Sequence, residues 1–231
     1  MKRTGVLFLL WIGLAVQAVQ GQIKQQLNPI KVLEVTDRLW VTVVPSDQNE
    51  LQIEGELADK VEAVFSDETL RLKMKGGYIM QGNQASVIVY TPTLAKIIAR
   101  KGAEVNVEQE TLVNGHMYFS ANEGAKIRAK VEADQVEVAS TTGGVIDLLG
   151  SCKELTVNNT AGGSFFGKDL QAGRAVVRTN AGGKCEIYAT DLADVQTRAG
   201  GTIDVYGDPK HRRDKRIAGG RITFHQGNQT L

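Results

Sequence analysis

STTGGVIDLLG, residues Ser140–Gly150, sets two adjacent glycines directly before an alternating apolar run. A glycine inside a strand or helix costs roughly 0.5–1 kcal/mol relative to alanine, so a pair beside residues that must pack demands a geometric reason. The arrangement returns in NTAGGSFFG (Asn159–Gly167), TNAGGKCEIY (Thr179–Tyr188) and TRAGGTIDVYG (Thr197–Gly207). Aligning all such small pairs gives Gly102-Ala103, Gly124-Ala125, Gly143-Gly144, Gly162-Gly163, Gly182-Gly183, Gly200-Gly201 and Gly219-Gly220, in steps of 22, 19, 19, 20, 18 and 19 residues. Recurrence at near-constant spacing marks an internal repeat.

The flanking residues carry the same period. Two places after each pair stand Val105, Ile127, Ile146, Phe165, Cys185, Ile203 and Ile222, and two places further Val107, Ala129, Leu148, Gly167, Ile187, Val205 and Phe224. The residues between them are mostly polar: Asn106, Arg128, Asp147, Phe166, Glu186, Asp204 and Thr223. This is the two-residue alternation of a strand with one buried face. A second apolar column precedes the pairs: Ile97, Phe119, Val138, Val157, Val177 and Val195.

A unit of about 19 residues with short strands cannot bury its own apolar face, but stacked units form a continuous core. The fold class predicted is therefore all-β, a right-handed parallel β-helix, with handedness following the rule for parallel connections. Seven rungs at ~4.8 Å make a rod of roughly 34 Å. The glycines become corners, because glycine reaches positive φ without a Cβ clash. A phosphate-binding glycine loop would need a following helix and a Lys-Ser/Thr pair, whereas here a strand follows each time.

The first residues have a different character. Lys2 and Arg3 precede the apolar run Val6–Val16, with small residues Ala18 and Gly21 behind it. That is a secretory signal, too short to span a bilayer comfortably. The expected organisation is a signal peptide over 1–21, a lead segment over 22–31, the β-helix over 32–209, and a basic loop with a capping rung over 210–231. Without Lys2 and Arg3 the chain has 25 basic and 26 acidic residues, a balance that does not point to nucleic acid.

Three early stretches, VPSDQNELQIEGE (Val44–Glu56), SDETLRLKMK (Ser66–Lys75) and VIVYTPTLAKIIARKGAEV (Val87–Val105), lead into the repeats, and TIDVYGDP (Thr202–Pro209) closes them. Over about Val32 to Pro209 the chain resembles the head GIN domain of putative autotransporter adhesins, a family of secreted proteins of Bacteroidetes-type bacteria. Its repeats often read Gly-Ser-Gly where this chain has Gly-Gly or Gly-Ala. The resemblance implies a β-helix and a secreted or envelope location, and supplies no catalytic residues.

Few constellations carry chemistry. His116, His211 and His225 lack metal-ligand spacing. The GG-x-I-D runs at Gly143–Asp147 and Gly200–Asp204 miss the calcium nonapeptide register, with isoleucine fourth and the aspartate one place early. Arg128, Asp147, Glu186 and Asp204 share an outward column that either serves a sugar-cleaving enzyme or forms a charge-paired face. PKHRRDKR (Pro209–Arg216) holds Lys210, Arg212, Arg213, Lys215 and Arg216, the candidate ligand-binding residues. They form either a basic patch for anionic glycans or lipid head groups, or a solvated cap, the reading favoured. No catalytic residue, metal or cofactor is expected. Cys185 falls in an inward column and Cys152 elsewhere on a rung two turns away, so no bridge between them is expected; two rung spacings of ~9.6 Å exceed the reach of a disulfide.

The function expected is a secreted, non-enzymatic recognition or adhesion module, exported to the periplasm, outer-membrane surface or extracellular space. Its expected partner is a surface glycan or an envelope protein. The alternative is a carbohydrate-active β-helix enzyme acting on a polysaccharide. N-terminal sequencing of protein recovered from the envelope should begin at Gln22; retention of Met1 or Lys2 would instead mark an uncleaved anchor.

Overall fold

β-branched residues at every second position hold the backbone extended, and the positions between them take the polar residues. In the computed structural model, which describes residues 22–226 apart from residue 109, the proposed signal peptide lies outside the described residues. Nine short strands come first: β1 (Ile23–Gln26), β2 (Val32–Val35), β3 (Trp40–Pro45), β4 (Glu50–Gly55), β5 (Val61–Ser66), β6 (Thr69–Met74), β7 (Ala85–Thr91), β8 (Lys96–Ala99) and β9 (Glu104–Val107). Then follow β10 (Leu112–Ala121), β11 (Lys126–Thr141), β12 (Val145–Thr160), β13 (Ser164–Asn180), β14 (Lys184–Arg198), β15 (Thr202–Tyr206), β16 (His211–Ile217) and β17 (Arg221–Phe224). There is no α-helix among the described residues.

The strands build two walls of a parallel β-solenoid with about seven turns. One wall runs β4–β7–β3–β9–β11–β12–β13–β14–β15–β17; the other runs β5–β6–β2–β8–β10–β11–β12–β13–β14–β16. Strands β11 to β14 pass through both. From β8 onward every pairing is parallel. The start is not sequential: β2 lies between β6 and β8, and β3 between β7 and β9. Antiparallel strands finish that end, β4 on β7, β1 on β4 and β5 on β6. The lead segment thus contributes β1, and Ile30 in the core.

The two apolar columns are the two principal core files. Val105, Ile127, Ile146, Phe165, Cys185, Ile203 and Ile222 are successive Cα partners, all buried, and the file continues through Val41 to Val87. Ile97, Phe119, Val138, Val157, Val177 and Val195 form the other, extended by Leu33 and Leu70. Each fully buried Val, Leu or Ile contributes about 1.5–3 kcal/mol. Gly167 gives up its side chain to the aromatic in its own rung, since a Cβ there would stand 2.5 Å from the Phe165 ring.

The two glycines of a corner have different reasons. Thr142 and Gly143 are both left-handed, with φ of 48° and 71°, and the Gly144 N–H donates to the Thr141 carbonyl at 2.9 Å. Two consecutive positive φ values closed this way define a type I′ turn, and glycine takes its second central place. Gly144 is instead a matter of space: its Cβ would lie 2.2 Å from the Ala121 carbonyl oxygen of the rung below.

Inside the corners runs a polar ladder. Ser140, Asn159, Thr179 and Thr197, each three places before its glycine pair, are Cα partners and buried. Ser140 Oγ donates to the Gly144 carbonyl at 2.6 Å and accepts from the Ser164 N–H at 3.0 Å. Asn159 Nδ2 donates to the Lys184 carbonyl at 3.1 Å, and Thr197 Oγ1 to the Gly219 carbonyl at 3.1 Å. The hydroxyl of Thr179 has no hydrogen-bond partner among the described residues.

One sequence expectation changes. Residues Lys210–Arg216, expected as a loop, lead into and form strand β16, whose seven residues all pair in parallel with Leu192–Arg198. The template edge of β14 supplies the backbone partners that an apolar pattern would otherwise have announced. The polar ladder yields a stability contrast. Ser140→Ala should destabilise by about 1 kcal/mol, because it removes two hydrogen bonds while the Gly144 carbonyl and the Ser164 N–H stay bonded to each other at 2.8 Å, whereas Thr179→Val removes a hydroxyl that is already unpaired and should be near neutral. Urea midpoints of the two variants check this; equal losses would refute the ladder's assigned bonds.

Candidate functional site: the outward acids and the basic end

Register places Arg128, Asp147, Phe166, Glu186 and Asp204 in one outward file. Phe166 divides it. Below, Arg128 Nε meets Asp147 Oδ2 at 3.3 Å. Above, Glu186 and Asp204 are neighbours, and each has its own side-chain partner. Lys184 Nζ lies 2.6 Å from Glu186 Oε1, and hydrogen bond and charge together raise the lysine above its ordinary pKa. His225 Nε2 lies 2.9 Å from Asp204 Oδ1, and its ring stacks on Tyr206 with centroids 4.4 Å apart. His116 pairs with Glu137 at 3.1 Å on the other wall, far along the chain from both remaining histidines. No three His, Cys, Asp or Glu side chains converge among the described residues.

Strand β16 is the last strand of its wall. Its inward positions are charged: Arg212 is the partner of Ala193, Asp214 of Val195 and Arg216 of Thr197. The file that ends with Val195 is therefore capped by an ion, whereas the other ends in Ile222. Arg212 pairs with Asp208, donates from Nε to the Pro209 carbonyl at 3.4 Å, and lies over the Phe224 ring at 5.1 Å. Lys210 is 3.8 Å from Asp191, and Arg216 is 3.3 Å from Asp214. Arg213 and Lys215, on the outward side, have no ion-pair partner among the described residues. Exposed pairs of this kind contribute about 0–1 kcal/mol, so these side chains are cheaply redirected.

The structure adds one residue to the set expected from sequence. Arg174, Leu192 and His211 are successive partners, and Arg174, Leu192, Lys210 and Arg213 line one shallow depression. Arg174 lies well before the basic run in sequence. The repeat alignment carries the signal nonetheless: Arg174, Leu192 and His211 each stand eight places before their glycine pair.

Residues 30–209 match the family described as putative auto-transporter adhesin, head GIN domain. The chain belongs to that family. A putative adhesin from Bacteroides fragilis NCTC 9343 has the same fold, with a TM-score of 0.79 at 17% identity over 88% of this chain and 96% of that one. A putative adhesin from Parabacteroides distasonis ATCC 8503 gives 0.68 at 18% identity over 89% and 96%. A putative lipid binding protein from the same strain gives 0.64 at 14% identity over 90% and 98%. None of the curated proteins matches this chain. Strands β16 and β17 of this GIN-domain protein lie beyond the matched residues.

Neither cysteine of the GIN fold is placed as a nucleophile. Cys185 sits in the first core file and Cys152 in another, beside Ala133 and Ala172; both thiols are free and buried. Burial pushes the Cys152 thiol up to about 12 and Cys185 upward as well. A reactive thiol needs the opposite shift. At pH 8 the native protein should take up no iodoacetamide at either cysteine and two equivalents once unfolded; native labelling followed by mass spectrometry checks this.

Proposed function

We propose that this protein is an exported, non-enzymatic solenoid that recognises a surface at the bacterial cell envelope. The observation that carries this reading is the paired outer wall. The acids that would serve hydrolysis, Asp147, Glu186 and Asp204, are each engaged by a separate side chain, Arg128, Lys184 and His225, along the strands. A flat ladder repeating every rung suits an extended partner, a surface glycan or an envelope protein. Membership of a family named for adhesins supports the same role, and the basic leader with its apolar run supports export.

One observation favours a second reading. Glu186 and Asp204 are adjacent on neighbouring rungs, and paired carboxylates serve glycoside hydrolysis. Binding of the mature protein to envelope preparations and to a glycan array, with reducing ends followed on every hit, separates the two. Binding without cleavage is expected. The pair Glu186→Gln and Asp204→Asn keeps the shape of two side chains that are only 15% and 17% exposed, and circular dichroism should show the fold intact. Release of reducing ends, lost in that double variant, would make the enzyme reading correct.

A further inference from the structure

We infer that the free edge of β16 is a docking site for an extended acidic segment of another protein, which adds to the wall as a further strand. This rests on the recognition role proposed above and names the partner's chemistry. Strand β16 pairs with β14 on one side and with no strand on the other among the described residues. Such an edge presents unpaired N–H and C=O groups of alternate residues, a template for strand addition. It is also long and regular: seven residues pair with β14 without a register shift, giving a template of roughly 23 Å.

Charge selects the occupant. On the outward side, Lys215 lies opposite Gln196 and Arg213 opposite Asp194, whose carboxylate is held by Arg178 at 2.8 Å, so neither cation has an ion-pair partner among the described residues; Arg174 lines the same depression as Arg213, beside the Lys210–Asp191 pair. An added strand with acidic residues at alternate positions sets its carboxylates against that row, because side chains of a strand share a face at every second place. On the inward side, Arg212 and Arg216 flank Asp214 over the last buried residues, which denies the edge to an apolar strand. A second copy fits poorly. The strands at the opposite end offer Lys24 alone among the charges of β1 and Glu62 alone among those of β5, and another β16 would bring like charge. The same ions that block self-stacking thus admit an acidic strand.

The test uses the mature full chain and the peptide acetyl-(Glu-Thr)4-amide, with three comparison probes: a version N-methylated at alternate residues, acetyl-(Lys-Thr)4-amide, and a dextran sulfate oligosaccharide. The acidic peptide should bind and slow amide exchange in β16, and should weaken with salt, since exposed charges are screened over ~8 Å at physiological ionic strength. N-methylation should abolish binding at unchanged charge. Arg213→Ser with Lys215→Ser should weaken it about tenfold, on the scale of a charge contact at an interface. Arg213→Glu with Lys215→Glu should transfer binding to the lysine peptide, which keeps the test decisive if the serine variant misfolds. Equal binding of the N-methylated peptide would reduce the site to a basic patch and overturn strand addition. Binding of dextran sulfate alone would assign the edge to an anionic glycan instead, and failure of every probe would end the proposal. If the protein still binds envelope preparations in those cases, the recognition role stands and only this edge is excluded.

Discussion

Corners that must stack on like corners govern this molecule. A parallel solenoid exists only if each turn places its inward side chains directly over those of the turn before, so the backbone ladder continues without slip. The left-handed pair Thr142-Gly143 sets where one rung ends, and Gly144 lets the next pass within reach of the Ala121 carbonyl. Once that contact is made, Ile146 falls on Ile127 and Val157 on Val138 without further instruction. The buried polar ladder belongs to the same device. Thr197 supplies a donor to the Gly219 carbonyl, and Ser140 adds a second donor to the Gly144 carbonyl, which also accepts from the Ser164 N–H; buried polar groups of the backbone need such partners.

The two ends of a stack pose the opposite problem, because every rung offers its edges to another. This chain treats the ends differently. At the first end the chain folds back on itself: β2 and β3 are enclosed between layers, and β4, β1 and β5 run antiparallel across the outside. At the last end one wall closes on the apolar Ile222 while the inward positions of the other terminate in Arg212, Asp214 and Arg216, and the open strand of that wall carries charge on both sides. Charged inward positions are among the means by which sheets avoid edge-to-edge growth. They also leave this edge as a regular strand whose unpaired backbone is flanked mostly by cations.

Much of the fold was legible from the glycine pairs alone. Their spacing identified the rung, and the residues two places on identified the file that runs from Val105 through Cys185 to Ile222. The placement of Cys185 in the core and Cys152 outside that file followed from the same count. The basic run was legible as residues but not as a strand, because His211–Ile217 lacks the alternation that identifies strands and is held extended by hydrogen bonds to β14. Arg174 was hidden for a related reason: it joins the basic end through register, not through sequence proximity.

The amino-acid sequence by itself determined the repeat, the corners, the inward files and the location of positive charge, since each depends on residues within one rung and on a period that survives without coordinates. Tertiary structure alone decided the order of the first layers and the pairing of the outer charges. The enclosure of β2 between β6 and β8 joins segments whose local patterns are equally compatible with simple succession. The pairing of Asp147 with Arg128 and of Asp204 with His225 depends on which side chains the stack brings within 3.3 Å, whereas Lys184 and Glu186 meet two places apart on one strand. Periodicity is a property of the chain, while adjacency between layers is a property of the stack, and that physical difference separates what was read from what had to be seen.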